Sequence, residues 1–145
     1  IVGVGKLMTS LGRCCKPAPP DAIQGYVTRG RGVSIHRVEC RDFQALVKRH
    51  PERLVSAEWG GGAGAPKDAV FAVDLLVHAM DRQGLLRDIS EVFAKEKMNV
   101  IGVQTQSIRG IAWMTFTVEV SDSGRLNRVL GIVADLNGVR AARRR

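Results

Sequence analysis

The chain is short of aromatic residues: its 145 residues include two tryptophans, one tyrosine and four phenylalanines. Proteins that read single-stranded nucleic acid stack bases on such rings, so recognition of backbone and shape is favoured over that mode. No apolar run reaches the length of a membrane-spanning helix. The opening IVGVGKLMTS has no charged segment before an apolar block, so it is not a signal peptide. It also has no initial methionine, which suggests a piece of a longer protein.

Cysteines are equally scarce, with only Cys14, Cys15 and Cys40 in the chain. Two of them are adjacent and their number is odd, which makes a poor disulfide framework. We therefore expect a reducing compartment, the cytoplasm. The short apolar runs predict no membrane partner.

Signatures of catalysis are absent from the sequence. There is no Ser/His/Asp arrangement, no phosphate-cradling GxxxxGK motif and no pair of catalytic carboxylates. His50 stands before a proline and His78 lies in a β-rich run, so surface or packing roles are expected for both. A zinc- or thiol-dependent enzyme is the most distant interpretation, and we expect this chain to be no enzyme.

Cys14, Cys15, His36 and Cys40 supply three sulfurs and an imidazole, the ligand types of tetrahedral zinc. Their spacing is not that of a zinc knuckle, because adjacent cysteines need an irregular backbone to point toward one ion. Buried structural cysteines are a second interpretation. A reactive thiol is a third, although no base with an orienting third group can be identified. Zinc is thus a candidate cofactor that the sequence leaves open.

The charge is concentrated around these cysteines. The formal net charge is +8, and ten Lys/Arg against five Asp/Glu up to Pro66 give +5 of it. Such an excess favours a polyanionic partner, with a solvated basic face as the alternative. The candidate RNA-binding residues are Arg13, Lys16, Arg29, Arg31, Arg37 and Arg41.

A glycine- and alanine-rich segment, GGGAGAP at 60–66, divides the chain. The predicted domains are a cysteine module at 1–59, a linker at 60–68 and a second domain at 69–145. The first domain is predicted to be a small β-β-α-β unit, with a tight hairpin of positive-φ glycines at 29–32. Its predicted elements are a helical turn at 5–13, strands at 23–28 and 33–36, a helix at 40–49 and a strand at 54–59.

The second domain has a βαββαβ pattern, the ferredoxin-like arrangement, and the whole chain is α+β. A helix with apolar spacing is predicted to end near Leu136 and to be closed by Gly138 at its C′ position. The predicted elements are strands at 71–77, 100–106, 111–120 and 139–142, with helices at 85–93 and 126–136.

The loop between the first strand and first helix of this domain is suited to a small ligand. Free N–H groups at a helix start attract a carboxylate, and Gly84 lets the chain approach closely. Asp81 could accept from an ammonium group, and Asn99 offers a second polar group. A free amino acid would fit these features, but Asp81 could instead cap the helix.

Two stretches resemble known domains. GVGKLMTSLGRCCKPAPPDAIQGYVTRGRGVSIHRVEC resembles the conserved-cysteine (zinc-finger or ribosome-intersubunit) domain of long RelA/SpoT-type stringent-response proteins. AVDLLVHAMDRQGLLRDISEVFAKEKMNVIGVQTQS resembles the ACT domain that ends those proteins. The resemblance covers essentially the whole chain. The synthetase and hydrolase domains of the family, which make and degrade guanosine tetra- and pentaphosphate, are missing.

The resemblance implies a regulatory role. In the family this region docks against ribosomal RNA near deacylated tRNA, or regulates the N-terminal catalytic domains of the same chain. The cysteine pattern maps onto Cys14, Cys15, His36 and Cys40. ACT domains typically pair as homodimers and bind amino acids at the shared edge, and branched-chain valine or isoleucine is expected here. The implied ligand residues are Asp81, Arg82, Gly84, Leu85, Leu86, Asn99, Val100 and Ile101. A pure docking and autoinhibitory module without a small ligand is the alternative.

Overall fold

The computed structural model describes residues 8–30, 32–60 and 69–145. It divides into two compact units, Ile1–Phe71 and Ala72–Arg145. Apart from Gly60, the predicted linker at 60–68 lies outside the described residues. No helix in the described part of the chain has the length and apolar character of a membrane span.

The first unit is a four-stranded sheet with one α-helix. Its strand order is β1-β3-β2-β4, with β2 antiparallel to both β3 and β4. The helix begins after Cys40 and is followed by a 3₁₀ turn at Pro51–Arg53. The elements are β1 (Thr9–Leu11), β2 (Ile23–Val27), β3 (Val33–Arg37), α1 (Arg41–Arg49) and β4 (Leu54–Ser56).

Strand β1 corrects the expectation of a helical turn at 5–13. Thr9–Leu11 instead pairs in parallel with β3, and residues 1–7 lie outside the described residues. The backbone bonds continue at both ends: Val33 N–H donates to Met8 O at 2.8 Å, and Gly12 N–H donates to Ile35 O at 2.7 Å. All three side chains of β1 are exposed, and Met8 is exposed as well, so the apolar spacing of Met8 and Leu11 buries neither side chain. The hydrogen bonds that β1 makes with the backbone at the edge of β3 therefore determine its conformation more strongly than the apolar spacing does.

The hairpin between β2 and β3 confirms the predicted connection but not its glycine geometry. Gly30 does not take a φ in the left-handed region. The connection is closed at its base, where Thr28 N–H donates to Gly32 O at 2.8 Å. This wider loop needs no left-handed residue at Gly30. Arg31 lies outside the described residues.

The core of the first unit is small. Ile23, Val33 and Ile35 are buried, with Val55 and Trp59 partly buried against them. On the helix side, Phe43 stacks on the His36 ring with centroids 5.1 Å apart and planes 16° from parallel. A core of this size leaves room for additional stabilisation by a bound metal.

The second unit has the predicted ferredoxin-like fold. Its sheet order is β6-β7-β5-β8, which corresponds to the order 2-3-1-4 of the unit's strands, with two helices on one face. The elements are β5 (Phe71–Met80), α2 (Leu85–Lys95), β6 (Asn99–Ile108), β7 (Ile111–Val120), α3 (Leu126–Ala134) and β8 (Val139–Arg144).

The end of α3 differs from the prediction. The helix ends at Ala134, because its last turn tightens: Leu136 N–H donates to Val133 O at 3.1 Å. Gly138 does take a left-handed φ of 86°, but in the turn that leads into β8 and not at the C′ position.

The sheet of the second unit has two different faces. The face under the helices carries the buried core of each central strand, such as Leu75 and Val77 on β5 and Met114 and Phe116 on β7. Because side chains alternate along a strand, the residues between them point to the opposite, open face. The open face carries Leu76, His78, Trp113 and Thr115.

Candidate functional site

Four side chains that are distant in sequence converge beside the sheet of the first unit. The Cys14 sulfur lies 3.3 Å from His36 Nδ1 and 3.5 Å from the Cys40 sulfur. The Cys15 sulfur lies 3.7 Å from the same nitrogen and accepts a hydrogen bond from Arg37 N–H at 3.4 Å. All four donor atoms lie within 4.8 Å of one another. The structure thus brings together the four predicted metal ligands.

The backbone around the adjacent cysteines explains how both sulfurs face one point. Gly12 packs directly on His36, where a β-carbon would lie 2.6 Å from the ring atoms Cε1 and Nδ1. Lys16 takes a left-handed φ of 44°, and its N–H donates to Gly12 O at 2.9 Å. The chain therefore folds back on itself across Cys14 and Cys15. This is the irregular backbone that adjacent ligands require.

The spacing of the donor atoms fits a tetrahedral zinc ion. With Zn–S near 2.3 Å and Zn–N near 2.0–2.1 Å, tetrahedral ligands lie about 3.8 Å apart for two sulfurs and about 3.6 Å apart for sulfur and nitrogen. The separations of Cys14 from His36 and Cys40, and of Cys15 from His36, are 3.3–3.7 Å and close to these values. The other ring nitrogen of His36, Nε2, lies 2.9 Å from Ser34 Oγ. Metal-binding histidines are usually oriented by such a second contact.

The pKa values of the cluster oppose thiol catalysis. Burial raises the pKa of Cys15 to about 12, and burial followed by the hydrogen bond with Cys40 raises the pKa of Cys14. Burial lowers the pKa of His36, so its ring is neutral near pH 7. A nucleophilic cysteine needs a lowered thiol pKa, whereas these thiols stay protonated until a cation displaces their protons.

A basic groove of about 600 Å³ opens beside the cluster. Three arginines line it, together with the hydroxyl groups of serine, threonine and tyrosine residues, and His36 forms part of its wall. Charged and hydroxyl donors are the groups that contact phosphates. The polar lining consists of Ser10, Arg13, Tyr26, Thr28, Arg29, Ser34, His36, His50 and Arg53.

The six candidate RNA-binding residues are not all at this groove. Arg13 and Arg29 line it, but Lys16, Arg37 and Arg41 do not. The Arg37 side chain is 13% exposed and pairs with Glu39 at 2.8 Å. Arg31 lies outside the described residues. The groove adds His50 and Arg53, which were not among the predicted RNA-binding residues and lie within two residues of Pro51. Their basic character was their one signal in the sequence.

The predicted ligand loop of the second unit is held by its own side chains. Asp81 Oδ2 accepts a hydrogen bond of 2.6 Å from Ser107 Oγ on β6. Arg82 donates through Nε to Asn137 O and through Nη2 to Asp88 Oδ2, both at 2.8 Å. The Arg82 hydrogen bond lowers the pKa of Asp88.

Asp81 does not cap the helix, so that alternative is wrong. The residue at the N-cap position of α2 is Gly84, with a left-handed φ of 81° and no side-chain hydrogen bond. Leu85 then turns into the core at 4% exposed, while Leu86 is 49% exposed. Because Gly84 occupies the N-cap position, the carboxylate of Asp81 is not needed as a cap and instead accepts a hydrogen bond from Ser107.

The remaining predicted ligand residues lie at the other end of the sheet. Asn99 begins β6 and donates to Glu119 Oε1 at 2.7 Å, and Ile101 is 52% exposed at a bulge between Val100 and Gly102. Ser107, which holds Asp81, is eight residues along the same strand, or roughly 27 Å at about 3.4 Å per residue. Within one copy, therefore, the loop and the strand start are not neighbours.

Two protein families match the chain. Residues 1–60 match the RelA/SpoT RIS domain, and residues 67–144 match the ACT domain. The chain belongs to the ACT domain family. With the RIS match ahead of the ACT match, the resemblance to RelA/SpoT-type proteins is confirmed. We refer to the two parts as the RIS unit and the ACT unit.

Curated relatives named GTP pyrophosphokinase align with nearly all of the chain. Those from Haemophilus influenzae and Escherichia coli strain K12 are 40% and 41% identical over 99% of it. The chain spans 19% of the length of each. A crystal structure of the ACT domain from GTP pyrophosphokinase of Chlorobium tepidum covers 53% of this chain and aligns over 100% of its own, with 18% identity and a TM-score of 0.48.

Proposed function

We propose that this chain is a regulatory part of a RelA/SpoT-type synthetase/hydrolase of guanosine tetra- and pentaphosphate. In this proposal the chain itself catalyses nothing, because the reaction belongs to other domains of a longer protein. The ACT unit binds a branched-chain amino acid, and the RIS unit contacts ribosomal RNA, beside tRNA on the ribosome, or the protein's own catalytic domains. The reduced cysteines fit a cytoplasmic setting. The observation that carries the proposal is that the predicted ligand residues form two groups, one beside each end of β6.

The two groups of predicted ligand residues would come together if two copies of the chain paired through β6. This strand is an edge of the ACT sheet, so its outer hydrogen-bonding groups are available to another strand. A two-fold axis would pair two β6 strands antiparallel, since such an interface is isologous. Asn99 and Ile101 of the partner would then lie beside Ser107 and hence beside Asp81. The pocket is complete only in the homodimer.

The residues that would meet in this pocket favour a small apolar amino acid. The N–H groups at the start of α2 suit the ligand carboxylate, and Asp81 suits its ammonium group. Leu86 and Ile101 are both about half exposed and supply apolar surface. Valine and isoleucine are therefore the expected ligands.

Titration calorimetry with a panel of amino acids tests the sensor. We expect heat with valine or isoleucine, weaker heat with alanine because less apolar surface is buried, and none with lysine. Asp81→Ala should remove the signal, whereas Asp135→Ala, an exposed carboxylate at the end of α3, should not. A folded protein that gives no heat with any amino acid would refute the sensor.

A pure docking module is the second candidate, and one observation favours it. Asp81 and Arg82 already have partners within the ACT unit, so neither needs a ligand for satisfaction. The two candidates can be distinguished by measuring how variants of this chain affect regulation in the longer protein. If Asp81→Ala leaves regulation intact while Arg13→Glu with Arg29→Glu abolishes ribosome association, the chain docks and does not sense.

Zinc is the proposed cofactor of the RIS unit. Cys14, Cys15, His36 and Cys40 would fill all four positions of a tetrahedral ion, which leaves none open for a substrate and is typical of structural sites. The ion would join the turn after β1, strand β3 and the start of α1. Zinc would therefore stabilise the wall of the basic groove and would supply no chemistry to a reaction.

A further inference from the structure

The open face of the ACT sheet carries an aromatic pair that the amino-acid site does not use. His78 on β5 and Trp113 on β7 lie on the two central strands, with ring centroids 3.9 Å apart and planes at 63°. Trp113 is 45% exposed. The edge of one ring is thus fixed against the other, and an exposed indole is held in place at the middle of the sheet.

Polar side chains surround this pair and form a shallow pocket of about 280 Å³. Gln106 is paired with Trp113 and Gln104 with Thr115 across β6 and β7, so all four share the open face. Their amide and hydroxyl groups can both donate and accept hydrogen bonds. The pocket is lined by Leu76, His78, Gln104, Thr105, Gln106, Trp113, Met114 and Thr115.

A cation lies on the strand next to one residue of the pocket lining. Arg143 on β8 is paired with Leu76 on β5, which places the two side chains on the same face with β-carbons about 5 Å apart. Arg143 is exposed. The carboxylate of Asp74, further along β5, accepts a hydrogen bond of 2.6 Å from Thr117 and lies 3.9 Å from the Arg145 guanidinium. The charge offered to a ligand beside Trp113 is therefore positive.

We propose that this pocket binds one unpaired nucleobase carrying a phosphate. The base stacks on the exposed indole of Trp113, the amides of Gln104 and Gln106 bond its edge, and the phosphate pairs with Arg143. A flat ring with an edge of donors and acceptors matches this combination, because aromatic side chains stack bases irrespective of sequence. The site is separate from the ligand loop and β6 edge of the proposed function, and its test is independent of theirs.

Fluorescence of Trp113 provides a direct test in the full chain. Trp59→Phe leaves Trp113 as the sole tryptophan, because the chain has two. Guanosine, GMP, AMP and a single-stranded hexaribonucleotide are then titrated into this variant. We expect saturable quenching of Trp113 emission by the nucleotides. Quenching by GMP alone identifies a free nucleotide as the source, and quenching only by the hexamer identifies a base in an RNA strand.

Calorimetry on variants separates stacking from other contacts. Trp113→Leu keeps an apolar side chain but removes the ring and should weaken binding about tenfold or more, whereas Trp113→Phe keeps a ring and should retain most of the affinity. Arg143→Ala should remove the advantage of GMP over guanosine. Its matched control is Arg128→Ala, an exposed arginine on α3 that pairs with Glu96.

Three results would overturn the proposal. One is no binding of any probe at millimolar concentration while circular dichroism shows the native fold. Another is unchanged affinity in Trp113→Leu. The third is Trp113 emission that depends on protein concentration and not on nucleotide, which would show that a second copy covers this face.

Discussion

Gly12 is the residue on which the geometry of the cysteine cluster depends most directly. The His36 ring occupies the space that a side chain at position 12 would need, and the turn at Lys16 directs both cysteines toward that ring. The sequence predicted the four ligand types but not this arrangement, because nothing in the spacing of Cys14 and Cys15 reports how the backbone turns between them. The close contact of a glycine with a ring 24 residues away is a tertiary property.

The first prediction concerns this contact. Gly12→Ala should lower the free energy of unfolding of the RIS unit by about 1–3 kcal/mol, since a β-carbon 2.6 Å from His36 forces the ring to move. Gly30→Ala is the matched control, because among the residues that the structure describes a β-carbon on Gly30 would meet no atom within 4 Å beyond its chain neighbours, and little change is expected. Urea denaturation followed by Trp59 emission in a Trp113→Phe background measures both. Equal stability of the two variants would contradict the packing argument.

The second prediction concerns the metal. Elemental analysis of the purified chain should find about one zinc per chain, and Cys40→Ser should lose it. Ser34→Ala removes the contact with His36 Nε2 and should weaken zinc affinity about 10–100-fold. Ser56→Ala, an exposed serine on β4, is the control. A metal-free chain with native stability would identify the cluster as buried structural cysteines instead.

The third prediction is the pH dependence of metal binding. The pKa values of Cys14 and Cys15 lie above the usual range, so zinc must displace thiol protons, and those protons compete with it more strongly as pH falls. Zinc affinity should therefore fall steadily from pH 8 to pH 6, with proton release on binding. Competition with a chromophoric chelator at several pH values measures this, and an affinity independent of pH would exclude thiolate ligands.

At the scale of secondary-structure elements, most strands were predictable, including β4, β6 and β8, which contain no buried residue, and β1 was the exception. β5 and β7 were predicted from the alternation of apolar residues along them, and β2 and β3 were predicted as β-rich runs on either side of the hairpin glycines. β1 was mistaken for a helical turn because only its backbone is used, on the edge of β3. The separation of the predicted ligand residues was equally hidden from the sequence, because Asp81 contacts Ser107 near the end of β6 whereas Asn99 begins that strand.

The fourth prediction concerns the β6 edge. Ile101→Asp places a charge at the proposed homodimer seam and should both produce monomers and abolish amino-acid binding. Val38→Asp changes an exposed apolar residue of the RIS unit and should do neither. Sedimentation velocity with and without valine measures the two effects together. A monomeric Ile101→Asp chain that still binds valine would place the whole pocket within one copy.

At the scale of the whole molecule, the chain combines a basic unit with one whose charges nearly balance apart from its last three arginines. The excess of +5 in the first part was legible from the sequence. The distribution of this charge over the surface could not be predicted from the sequence. Arg53 lines the same groove as Arg13 and Arg29 only because the 3₁₀ turn packs beside β1 and β2. Charge counts identify a class of partner, and the fold selects the side chains that meet it.

The fifth prediction follows from this groove. Binding of an RNA hairpin should weaken steeply with salt, and each of Arg13→Ala, Arg29→Ala and Arg53→Ala should reduce the slope of log K against log salt by about one. Arg128→Ala, on the ACT unit, should leave the slope unchanged. Fluorescence anisotropy across a salt series measures it, and a slope that no groove variant alters would place RNA elsewhere.

The distance between Asp81, which follows β5, and Asn99, which begins β6, has a consequence for how such a protein would behave in a cell. If two copies pair as proposed, a pocket formed across the pair would respond to the concentration of the chain as well as to the concentration of the ligand. Dilution would silence it even in plentiful valine, and ligand would in turn draw the copies together. The fraction of chains with an occupied pocket would then depend on both the expression level and the amino-acid supply.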